Sequence, residues 1–135
     1  MKYTNENEIK KLVESFENAT ISRKAWGHTE HLVVGVYYVW NNDFDTALNK
    51  MRKGIFNLLD AFGVDRTKED PYHETLTHFW IKTLDDYKNL RFENSLIENC
   101  RGIVENFDKN YPLNYYSREL LFSAEARKEF VAADL

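Results

Sequence analysis

Apolar positions along the chain recur mostly at three- and four-residue intervals, the spacing of one face of a helix. Ile9, Leu12, Val13 and Phe16 form the first stripe. It predicts a helix over residues 6–18, with Asn5 as N-cap and Glu8 three residues on in a capping-box pattern. Residues 19–25 read as a connection. The next segment, 29–41, is apolar almost all round: Leu32, Val33, Val34, Val36, Tyr37, Tyr38 and Trp40 leave little polar face. Such a helix belongs in the middle of a bundle. Thr29 is its expected N-cap. Asn41, Asn42 and Asp43 make a turn, and Asp43 caps a third helix reaching Phe62, with Gly63 as the stop. Its stripe, Phe44, Leu48, Met51, Ile55, Leu58 and Phe62, is the clearest in the chain.

Residues 64–70 form a polar loop. Asp70-Pro71 then reads as a helix start, Asp at N-cap and Pro at N1. The fourth helix carries His73, Thr77, Trp80, Ile81 and Leu84 on one face and fades near Asn89. A fifth, over 93–107, shows Leu96, Ile97, Cys100, Ile103, Val104 and Phe107. The remaining tail has room for short turns, with Ser123 capping a last helix through about Val131. The expectation is all-α: one helical-bundle domain over residues 1–135, with five to six helices.

Composition narrows the classes. The chain has 135 residues, enough for one sizeable core. Aromatics make up 15%, which suits a core or pocket of large rings. A net charge of −4 argues against non-specific nucleic-acid binding. The longest apolar run, Leu32 to Trp40, is too short to span a bilayer. A single cysteine and a polar N-terminus point to a cytoplasmic protein without an intrachain disulfide. The abundance of aromatics allows an exposed apolar face, so a homodimer is among the expected states.

Candidate chemistry gathers in two stretches. All four histidines lie in WGHTEHL at 26–32 and YHETLTH at 72–78. His28 and His31, three apart, share a helix face. His73 at N3 of the fourth helix would be kept neutral by the positive helix end, and neutral imidazole binds metal. His28, His31 and His73 are therefore the candidate ligands of a divalent transition metal, zinc first, with open positions for chemistry. Glu74 and Glu30 are the candidate acid/base groups. Arg52, Trp26, Tyr72 and Thr77 are the candidate substrate contacts. His78 reads as a surface residue and Cys100 as an inert core thiol.

The chain resembles a group of small, mostly bacterial helical proteins of uncharacterised function. The resemblance rests on WGHTEHL at 26–32, MRKGI at 51–55, YHETLTHFW at 72–80 and YYSRELLFSAEAR at 115–127. It implies that His28, His31, His73, Glu74 and Thr77 occupy the family's polar signature positions, and it implies no activity. Two functions follow as expectations. One is a small metal-dependent, hydrolase-like enzyme. The other is a non-catalytic protein, a small-molecule binder or a structural unit, in which the His/Glu cluster is a buried hydrogen-bond network.

Overall fold

The computed structural model describes residues 1–135 as seven α-helices and one 3-10 turn, with no strand. Helix α1 is Glu6–Glu17, α2 His28–Asn41, α3 Phe44–Ala61, α4 Glu74–Leu90 and α5 Leu96–Asn106. The tail adds a 3-10 turn at Tyr111–Asn114, α6 at Arg118–Leu121 and α7 at Ala124–Lys128. The all-helical class holds, and the count is seven rather than five to six. The extra element comes from the tail, where Ser117 and Ser123 each cap a one-turn helix by accepting a backbone N–H.

Helix ends follow side chains that can take up free N–H groups. Asn5 accepts from Glu8, Asp43 from Thr46, and Ser95 from Glu98. Gly63 ends α3 in the left-handed region at φ 77°. Three starts differ from expectation, α5 among them, which begins at Leu96 after the Ser95 cap rather than at 93. Helix α2 begins after Gly27, because the Glu30 carboxylate reaches back to accept the Gly27 N–H at 3.1 Å. Helix α4 begins after His73, whose own ring is the cap. Asp70 turns instead to Arg66 and to the Tyr72 N–H, so residues 70–73 stay outside the helix.

Helix α2 runs through the centre, with α1, α3, α4 and α5 packed around it. Its Leu32, Val33, Val34, Val36 and Val39 are buried. Lys88 of α4 donates to the Val39 carbonyl at 2.7 Å, placing a cation at the negative end of α2. No helix is long and apolar enough to cross a membrane.

After α7 the chain becomes an extended strap over α4. Thr75 Oγ1 donates to the Glu129 carbonyl and accepts from the Val131 N–H. The Tyr116 hydroxyl donates to the Val131 carbonyl, and Ser117 donates twice to the Asp134 carboxylate.

One close approach is dictated by glycine. Gly54 lies against the Phe16 ring, and a Cβ there would overlap Phe16 Cε2 and Cζ. Phe16 has no accessible surface and is stacked on Trp26 at 4.8 Å, so the ring has nowhere to go. Gly54→Ala should destabilise the fold by about 2 kcal/mol in spite of its better helix propensity. A urea midpoint at or above that of the wild type would remove this account of the α1–α3 contact.

Candidate functional site

The three histidines proposed as ligands end up in three different settings. His73 is fully committed. Its Nδ1 accepts the Leu76 N–H at 3.1 Å, and its Nε2 lies 2.6 Å from the Leu121 carbonyl. The proton must then sit on Nε2, donated to Leu121. Burial holds the ring below the ordinary histidine range, against the opposing pull of that carbonyl. Protonating Nδ1 would cost the cap. The ring is a tie between the start of α4 and the end of α6, and neither nitrogen is left for a metal.

His28 Nε2 contacts the Phe107 carbonyl at 3.2 Å, and its ring stands edge-on to Trp80. His31 stacks on Trp26 at 5.6 Å, with Nε2 sealed from solvent and unpartnered. Burial, helped by nearby His28, pushes His31 down to about 4. His73 therefore has no free nitrogen to bring to the expected three-histidine centre, and no group of three His, Cys, Asp or Glu side chains is found that could hold a metal ion.

Glu30, in the same first turn of α2 as His28, is also spoken for. It accepts from Gly27 N–H, from the Tyr3 hydroxyl at 2.6 Å and from Lys2 at 2.8 Å. Burial alone would raise its carboxyl, but these donors outweigh it and keep the group below the usual range. Trp26 fills the space between Phe16 and His31, and the Thr77 hydroxyl donates to the His73 carbonyl within α4's first turn. Cys100 is buried and its thiol is pushed up to about 12 by burial.

Three predicted residues do meet: Arg52, Tyr72 and Glu74. Helix α3 projects Arg52 toward the first turn of α4. There Nε and Nη2 donate to Glu74 Oε1 at 2.8 Å and Oε2 at 2.6 Å, a bidentate pair. Arg52 Nη1 donates to Asn49, and the Tyr72 hydroxyl donates to Glu74 Oε1 at 2.6 Å. Burial would raise the Glu74 carboxyl, yet Arg52 and Tyr72 together hold it low. A carboxylate so stabilised is a poor general base. Its chemical role is to fix Arg52 and Tyr72 in place.

This trio floors a cleft of about 610 Å³ between α3, the start of α4 and α7. Phe56 and Phe130 supply rings to its wall. Arg66 lies over the Phe56 ring at 4.1 Å and pairs with Asp70. Arg127 and Lys128 of α7 complete the lining. Arg52, Arg66, Arg127 and Lys128 face Asp70, Glu74 and Glu129, so the cleft has one surplus cation in a chain of net charge −4. Arg52 and Arg66 are paired, whereas half-buried Arg127 has no ion pair or hydrogen bond. Sequence reading missed Arg66 and Arg127. No local pattern brings residue 127 beside residue 52.

His78 also departs from the surface role expected of it. It sits between Phe44 at 5.2 Å and Phe130 at 3.9 Å, pinned under the strap. No family model, curated protein or solved structure matches the chain.

Two outcomes follow for the histidines. His73→Ala should cost about 1–3 kcal/mol from the lost cap and carbonyl bond, by the same amount with zinc or with chelator. Denaturation curves that differ between those two solutions would restore a metal role. His31 has its folded pKa depressed to about 4, so its stabilising effect is present above the unfolded value and is lost as pH falls toward 4. From pH 7 to about 5 this one group should remove about 2 kcal/mol. His31→Leu should flatten that part of the decline, while His73 and His78, also depressed, retain theirs. An unchanged slope between pH 7 and 5 in urea titrations would contradict it.

Proposed function

We propose that the protein binds a small organic anion in the cleft between α3, α4 and α7, without itself supplying acid/base catalysis there. The observation that carries this reading is Arg127. Arg127 is half-buried at the cleft wall and makes no ion pair or side-chain hydrogen bond, and Asp70 of the same cleft attracts it only from a distance. Removing such a charge from water is unfavourable without a partner, and a bound carboxylate or phosphate oxygen would provide one. Arg52 and Arg66 are already paired and held in place, and exposed Lys128 is a second unpaired cation beside Arg127.

The rings at the walls, Phe56, Tyr72 and Phe130, suit an apolar or planar body behind the anionic head. The cleft volume, about 610 Å³, falls within the range of small-molecule sites. The hydrolase-like alternative would draw on Glu74 as base. The two hydrogen bonds from Arg52 and the one from Tyr72 weigh against that.

Calorimetric titration with a panel of aromatic and aliphatic carboxylates and phosphomonoesters tests the proposal. At least one class should bind, and Arg127→Ala should weaken it about 10- to 100-fold, the worth of one charge-assisted hydrogen bond. The variant's thermal unfolding should match the wild type, because Arg127 ties nothing together. Binding that survives Arg127→Ala undiminished, or no binding by any member of the panel, would sink the reading.

A further inference from the structure

A second concavity lies on the opposite side of the strap, along the outer face of α4. It is a groove of about 570 Å³ floored by Phe79, Tyr87, Phe107 and Tyr111. Leu90 and Arg91, at the end of α4, form one end of it. The chain then turns toward α5 and presents Phe92. Phe92 is 88% exposed and Leu90 76%, the two greatest exposures of any large apolar side chain here. A small ligand could fill the groove and meet Leu90, but it would leave Phe92 in water. An exposed ring beside a ring-lined groove is one mark of a protein interface.

Charge narrows the partner. Arg91 lies over the Tyr87 ring at 3.8 Å and has no ion pair, and Glu93 has neither ion pair nor hydrogen bond. The groove thus asks for an apolar knob carrying an unpaired anion on one side. The segment Leu90-Arg91-Phe92-Glu93 is such a knob. Knob and groove adjoin through Leu90 and Arg91, so a two-fold axis at the corner can bring the knob of each copy to the groove of the other. Mixed charge also lets the patch meet its own image despite the chain's net charge of −4.

We propose that the α4–α5 corner is a homodimer interface, in which Phe92 of each copy enters the aromatic groove of the other and Glu93 meets the partner's Arg91. Sedimentation velocity over a concentration series tests this. The wild type should shift from monomer to dimer below about 0.1 mM, a concentration that populates even a weak specific interface. Phe92→Asp, at an exposed position that leaves the fold and its circular dichroism unchanged, should weaken the dimer at least tenfold. Arg91→Glu and Glu93→Arg should each weaken it, and the double exchange should restore it, because each copy then presents the swapped pair. A protein that stays monomeric throughout, a dimer indifferent to Phe92→Asp, or a double exchange no better than the single ones would overturn the proposal.

Discussion

Helix α2 has almost no polar face, and the fold is arranged to keep water from it. Burying Leu32, Val33, Val34, Val36 and Val39 from every direction requires four neighbours, and α1, α3, α4 and α5 supply them. The polar groups of the bundle are thereby pushed to the helix ends. Lys88 closes the C-terminal end of α2, and Glu30, Lys2 and Tyr3 close the other. Side chains that look reactive in the sequence are occupied with this closure.

The histidines illustrate it best. An imidazole has one donor and one acceptor when neutral, which suits a junction needing both. His73 uses the acceptor on α4 and the donor on α6, joining segments 48 residues apart. His28 does related work against Phe107. Two helix starts that carry a conspicuous polar signature are consistent with architecture rather than chemistry. The unspent electrostatics lie elsewhere, on α7, whose Arg127 was placed beside α3 and α4 by the tail's return across the bundle.

How much could be read in advance followed from the range of the forces involved. Stripes on α1 and α3, the caps Asn5, Asp43 and Ser123, and the stop at Gly63 are local, and the residues announce them. The start of α4 was misread because Asp70-Pro71 is a good local signal, and a distant one overrode it. Arg66 claims Asp70, while Leu121 and Leu76 fix His73 as the cap. Arg52, Tyr72 and Glu74 could be proposed from residue type, and the structure brings them together. The settings of His28, His31 and His73 were illegible for the converse reason: spacing shows which rings share a face, not which carbonyls will claim them. Arg127 and His78 depend wholly on where the last few residues lie.

Phe130 belongs to the walls of both concavities, and its ring rests on His78 at 3.9 Å. A single side chain in two walls makes the two spaces thermodynamically linked. Any occupant of one that changes the rotamer of Phe130 alters the shape of the other, and the coupling free energy is the same in both directions. Its upper bound is the cost of lifting one half-exposed ring from one imidazole, so the linkage is small. The last seven residues of the chain, held by Thr75, Tyr116 and Ser117, are therefore a partition whose position both sides of the molecule can sense.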